Sequence, residues 1–128
     1  MGYLLDTHTL LWLADDESVI PSSTLQQLRD TQNDLFVSVA SLWEIAIKRS
    51  LGKLSISRPT QALIDELPNM GISLLPVATS HILQVEALPF HHRDPFDRII
   101  IAQALAEGYV VVGKDGNFPL YSVPVLWN

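Results

Sequence analysis

The chain has 128 residues, 48% hydrophobic and 17% charged, with no cysteine and a formal charge of −6. That length suits one domain, residues 1–128, able to bury a core unaided, and the lack of cysteine excludes disulfides, thiolate metal sites and cysteine nucleophiles. The acidic balance argues against coating nucleic acid by bulk charge, but not against carboxylates that hold metal ions beside a few placed cations.

A mean hydropathy of +0.22 is high for a domain of this size. It excludes disorder and points to apolar surface covered by a partner or a second copy. No basic n-region precedes the first apolar run, which Asp6 and His8 interrupt. Nothing approaches the roughly 20 apolar residues of a membrane span, so the default expectation is a cytoplasmic protein with no membrane contact.

In chain order, Tyr3-Leu4-Leu5 reads as a short buried strand, with Asp6 directly after it. Pro21 to Thr31 reads as a helix opening on proline, with Leu25 and Leu28 on one face. Leu35 to Val39 is a second strand, and Ser41 to Leu51 a helix running from a serine cap to Gly52. Pro59 to Leu67 and Thr79 to Leu88 are shorter helices flanking a third strand at Ile72–Leu75. The clearest helix is Pro95 to Glu107: Asp94 fits the cap, Pro95 the first position and Gly108 the stop. Tyr109–Val112 makes a fourth strand and Pro124-Val125-Leu126 a weaker last one. Strands alternating with helices, each strand a continuous apolar run, predict a parallel sheet covered on both faces. The strand order does not follow from the pattern.

In an open parallel sheet, ligands bind beyond the carboxyl ends of the strands. Asp6 and Asp115 follow strands, Glu44 sits about one turn into the helix after the second strand, and Asp94 and Asp97 start the helix feeding the fourth. Each has an ordinary alternative: Asp6 and Asp94 as helix caps, Glu44 in an i, i+4 pair with Lys48, Asp97 favoured by the helix dipole, Asp115 in a turn. Jointly those readings weaken, because Glu44 lies in Leu42-Trp43-Glu44-Ile45-Ala46 and Asp97 precedes Ile99-Ile100-Ile101-Ala102. Clustered, partly buried carboxylates repel one another, and a divalent cation relieves that cost; oxygen donors without cysteine suit Mg²⁺ or Mn²⁺. Such a site suits phosphodiester hydrolysis, with two ions roughly 3.5–4 Å apart serving the attacking and leaving oxygens and a carboxylate taking the proton from water.

The segments Leu4-Leu5-Asp6-Thr7-His8, Ser38-Val39-Ala40-Ser41-Leu42-Trp43-Glu44-Ile45, His91-His92-Arg93-Asp94-Pro95-Phe96-Asp97-Arg98 and Val112-Gly113-Lys114-Asp115 carry these acids. In this order they resemble PIN-domain ribonucleases, most closely the VapC-type toxins of prokaryotic toxin–antitoxin pairs, over nearly the whole chain. The resemblance implies a three-layer α/β/α fold around a parallel sheet. It also implies Mg²⁺- or Mn²⁺-dependent cleavage of single-stranded or looped RNA to a 5′-phosphate and a 3′-hydroxyl. By motif position, Asp6, Glu44 and Asp97 match the acidic triad, Asp115 the more variable fourth acid, and Asp94 an additional acid that supports or caps. Family members often carry Ser or Thr where this chain has Gly113, so that hydroxyl contact is missing. A cognate antitoxin, which can offer an arginine to the acids, and a homodimer are the implied protein partners.

Thr7 and Ser41 read as caps or as hydrogen-bond supports to a carboxylate. Adjacent His91 and His92 seldom share one ion, so they read as ordering the loop, touching RNA or meeting another subunit. Lys48, Arg49, Lys53 and Arg58 form the densest basic stretch, a solvated helix face or a guide for phosphates, while Arg93, Arg98 and Lys114 flank the acids and read as direct phosphate contacts. Arg98 has the alternative of pairing with Asp94 at i, i+4. Trp12 and Trp43 read as core rather than as a base-stacking platform. A rival from another class is a non-catalytic metal- or partner-binding module, either receiver-like or a degenerate PIN scaffold. The receiver reading lacks a phospho-accepting aspartate after Ile72–Leu75, and a haloacid-dehalogenase-type phosphatase would need an aspartate where His8 stands. Neither the receiver nor the phosphatase has a role for Glu44 and Asp97.

Overall fold

The computed structural model describes all 128 residues. Strands β1 (Gly2–Leu5), β2 (Asp34–Ser38), β3 (Ile72–Leu75), β4 (Val110–Val112) and β5 (Val125–Leu126) form one sheet in the order β3-β2-β1-β4-β5. Every neighbouring pair is parallel, and Leu5 is in register with both Val37 and Val112. The helices are α1 (Thr7–Asp15), α2 (Ser22–Arg29), α3 (Val39–Ser50), α4 (Thr60–Glu66), α5 (Thr79–Ala87) and α6 (Pro95–Glu107).

Side chains alternate across the sheet, so each short strand feeds two cores. Tyr3, Leu5, Leu35, Val37, Ile72 and Val112 pack with Leu10, Leu28, Ile45 and Leu63 from α1, α2, α3 and α4. Leu4 and Val111 point to the other face, where Ile100, Ile101 and Ala104 of α6 pack with Phe118, Tyr121 and Val123. The three-layer α/β/α arrangement follows from that division.

Local chemistry sets the helix starts at the carboxyl edge. Asp94 Oδ1 accepts from the backbone N–H groups of Phe96 and Asp97 at 2.9 and 3.2 Å, and Gly108 ends α6 with a φ of 73°. Asp6 caps α1, taking the Thr9 N–H at 2.8 Å. Most helix ends fall within one or two residues of the sequence reading, and the start of α3 differs most. α3 starts at Val39 and its cap is Ser38, whose Oγ accepts from Ala40 N at 3.0 Å. The β-branched Val39 reads as strand by propensity, but the Ser38 hydroxyl turns the chain one residue earlier. Ser41 is therefore inside the helix, and Glu44 lies in its second turn.

From β1 the chain builds outward through β2 and β3, then returns across the sheet to β4 and β5. The switch of direction falls between β1 and β4, where such sheets open a crevice at their carboxyl ends. Those two ends are tied together: Asp6 N and Thr9 Oγ1 both donate to Val112 O, at 3.0 and 2.9 Å.

Candidate active site

Asp6 stands at this crevice, 3% exposed. Its Oδ1 is taken by Thr9, while Oδ2 lies against Gly113: a Cβ there would be 2.7 Å from that oxygen and 2.6 Å from the Phe118 ring. Glycine is the residue that leaves both the carboxyl and the ring undisturbed. Burial raises the Asp6 pKa above the ordinary carboxylate range, against the lowering effect of the Thr9 hydrogen bonds.

Glu44 is equally buried at 3% and held from two sides. Thr7 Oγ1 donates to Oε1 at 2.5 Å, and Lys48 Nζ donates to Oε2 at 2.6 Å. Thr7 Oγ1 also lies 3.0 Å from Ser41 Oγ. Thr7 and Ser41 thus support a carboxylate and cap nothing, whereas Asp94 is the cap of α6. The hydrogen bond to Glu44 raises the Lys48 pKa, and the charges of Asp94 and Asp97 add to the effect.

Asp97 lies in the first turn of α6 with a side chain 16% exposed. Burial, then the charges of Asp94, Asp115, Asp6 and Glu44, push its pKa up to about 8. Asp115 is exposed, and its Oδ1 accepts from the backbone and side-chain N–H groups of Asn117 at 2.9 and 3.0 Å. Asp6 and Asp115 line one small cleft with His8, Trp12 and Lys114.

Four chain segments therefore bring acids within one another's field at the carboxyl edge. In this geometry no three carboxylate or imidazole groups close around a common point. The donor chemistry fits a hard divalent cation: buried carboxylate oxygens, two of them on groups whose charged form is disfavoured by burial and like charge.

A family model for the PIN domain matches residues 3–123. The chain belongs to the PIN domain family. Members of that family are nucleases. No curated protein sequence matches this PIN domain. Among solved structures it is similar to VapBC2 from Rickettsia felis bound to a promoter DNA fragment, at 16% identity and a TM-score of 0.75, covering 100% of both chains. It is also similar to VapBC from Salmonella typhimurium bound to DNA, at 16% identity and a TM-score of 0.68, covering 98% of this chain and 97% of that one. VapBC-1 from nontypeable Haemophilus influenzae aligns at 18% identity and a TM-score of 0.67, covering 98% and 97%.

Several flanking residues of the PIN domain sit elsewhere than the sequence suggested. Arg98 neither faces the acids' open side nor pairs with Asp94. It is 6% exposed and donates to Pro89 O at 2.9 Å, Val85 O at 3.3 Å and the Tyr121 hydroxyl at 3.1 Å. On α6 its direction is about 100° from that of Asp97, which turns it into the loop packing instead. Arg49 donates to Arg58 O at 2.7 Å and Arg58 to Ala14 O at 3.3 Å, so both brace the segment after α3. Lys53, Arg93 and Lys114 are exposed.

Trp12 is half-buried, but Trp43 is 63% exposed and meets Phe96 edge-on at 5.3 Å. It belongs to an apolar groove with Val39, Val77, Ile82 and Phe96, between α3, α5 and α6. The apolar neighbours of Trp43 suggest core, or a surface that meets a partner; Trp43 points about 200° around α3 from the buried Ile45 and is exposed. His92 orders its loop, and its partner Tyr121 gave no sequence signal beyond being an aromatic near the last strand. No helix is long and apolar enough to cross a membrane.

Proposed function

We propose that this PIN domain is a metal-dependent endoribonuclease, the toxin of a toxin–antitoxin pair. The observation that supports the reading is that Asp6, Glu44 and Asp115, from three other segments, lie close enough for their charges to act on the half-buried Asp97, whose pKa burial and these charges push up to about 8. Carboxylates set against one another at that cost are a normal feature of cation sites. Asp6, Glu44, Asp97 and Asp115 would hold Mg²⁺ or Mn²⁺, with Asp94 fixing the helix start beneath Asp97.

When bound, such a cation supplies Lewis-acid activation of water and neutralises charge on the phosphate. The chain's own residues do the rest. Thr7 and Lys48 hold the Glu44 carboxylate in one orientation. Lys114 beside the cleft, with Lys53 and Arg93, supplies cations that draw the RNA backbone to a rim otherwise repulsive to it. One rim carboxylate accepts a proton as a water oxygen bonds to phosphorus. The bond to the 3′-oxygen breaks, and that oxygen takes up a proton, leaving a 3′-hydroxyl and a 5′-phosphate.

Two protein partners belong to this reading. The similar solved structures are VapBC complexes, which supports a cognate antitoxin. The groove around Trp43, Ile82 and Phe96 has no charged residue in its lining, which supports a second copy there: two chains of charge −6 approach best through a face free of acids.

The test is cleavage of end-labelled tRNA and a structured RNA pool by wild type and Asp6→Asn, with Mg²⁺, Mn²⁺ or EDTA. Metal-dependent cutting by wild type alone is the expected result. Equal cutting by both proteins would refute the assigned site. A metal-induced rise in melting temperature with no cutting of any RNA would favour the binding-module alternative.

A further inference from the structure

Tyr121 ends the 3₁₀ turn after β4 and is 5% exposed. Its phenol oxygen meets Arg98 Nη1 at 3.1 Å, His92 backbone N at 3.1 Å and His92 Nδ1 at 2.6 Å. The first two groups can only donate. A phenol has one proton, and the ring nitrogen is the neighbour left to receive it. His92 Nδ1 is therefore an acceptor, the imidazole proton sits on Nε2, and that N–H lies 3.4 Å from Asp97 Oδ2.

The far end of this chain is a buried cation without a carboxylate. The Arg98 guanidinium binds the carbonyls of Pro89 and Val85 and stacks over the Phe90 ring at 4.6 Å from its centroid. Its remaining polar contact is the Tyr121 hydroxyl, which it polarises toward His92. Arg98 and Asp97 are sequence neighbours whose side chains diverge around α6. The hydrogen bonds thus leave the helix at Arg98 and return to it at Asp97.

We propose that His92 is a positioning residue, its Nε2–H locked by Tyr121 and Arg98 so as to orient the Asp97 carboxylate toward the cation. This rests on the reading of Asp97 as a metal ligand. With Oδ2 directed to His92, Oδ1 is the oxygen left for the ion. Partners of this kind around a ligating side chain fix its direction, and their loss commonly weakens metal affinity or activity by about 10–100-fold.

Two measurements separate the parts. Long-range proton–nitrogen NMR of metal-free wild type distinguishes the two neutral tautomers and the imidazolium directly. Nε2–H is expected in wild type, and a mixture in Tyr121→Phe. Calorimetric titration with Mn²⁺ alone then compares variants: Tyr121→Phe and His92→Asn should bind about tenfold or more weakly, while His92→Gln, whose amide reaches the Nε2 position, should stay within about threefold of wild type. An Nδ1–H tautomer in wild type overturns the proposal. So does unchanged Mn²⁺ affinity in His92→Asn and Tyr121→Phe, whatever their melting temperatures, since the network would then be structural alone. Absence of Mn²⁺ binding by wild type with the Nε2–H tautomer intact instead overturns the metal reading of Asp97, and the cation half of this proposal with it.

Discussion

Asp97→Asn should make the metal-free protein more stable, and the gain should depend on pH in a specific way. The Asp97 carboxyl titrates at about 8 in the folded chain against an ordinary 3.8, chiefly through burial and then the charges of Asp94, Asp115, Asp6 and Glu44. Between those values the folded protein keeps a proton that the unfolded chain has released. Wild-type stability therefore falls as pH rises through this window, by at most about 1.4 kcal/mol for each pH unit. The full window sets an upper limit of roughly 6 kcal/mol. Residual water contact and side chains free to turn away reduce this, so an expected gain for asparagine is ~2–3 kcal/mol. In melting temperature that is roughly 6–15 °C for a domain of this size. Urea unfolding in EDTA, followed by tryptophan fluorescence from about pH 4 to about pH 9, measures it. The two proteins should coincide at the acid end, separate through neutrality and differ by a constant amount above about pH 8. Saturating Mg²⁺ or Mn²⁺ should then stabilise wild type more than the variant and narrow the gap. A variant no more stable than wild type at about pH 9, or a difference that ignores pH, would refute the electrostatic reasoning.

Three further outcomes follow from the same geometry. Mn²⁺ affinity, measured calorimetrically, should rise by up to about tenfold per pH unit between about pH 5 and about pH 8, because the ion must displace the Asp97 proton; a flat profile would remove Asp97 from the ligand set. Gly113→Ala should cost about 1–3 kcal/mol by urea unfolding, since its Cβ would press on Asp6 Oδ2 and Phe118, and the displaced Asp6 should lower cleavage as well. A neutral stability effect would mean that the Phe118 ring gives way freely. Trp43→Glu places a charge in the groove between α3, α5 and α6, and light scattering is expected to report a dimer for wild type and a monomer for the variant. A dimer that survives the substitution would move the pairing face elsewhere.

Much of this fold was legible in the sequence because its signals are local. Continuous apolar runs such as Leu35-Phe36-Val37 announced strands covered on both faces, and Asp94-Pro95 with Gly108 bracketed α6 at both ends. The order of Asp6, Glu44, Asp97 and Asp115 along alternating strands and helices already placed them at one edge. A local rule that failed was the start of α3, where the β-branched Val39 outweighed the hydroxyl of Ser38 in the reading but not in the chain.

The tertiary structure decided what depends on residues distant in sequence. The order β3-β2-β1-β4-β5 sets β1 beside β4 and so brings Asp6 against Gly113 and into one cleft with Asp115. Thr7 reaches Glu44 across 37 positions, which made it a support for the acid rather than a cap. Arg98 was the flanking cation that sequence proximity assigned to phosphate. It turns inward because its neighbour Asp97 occupies the face toward the rim, and its partner Tyr121 lies 23 residues away. A residue's periodicity determines which side of its own element it occupies. The element that meets that side, and hence whether a charge finds an ion, a phenol or solvent, is determined by the packing of the whole chain.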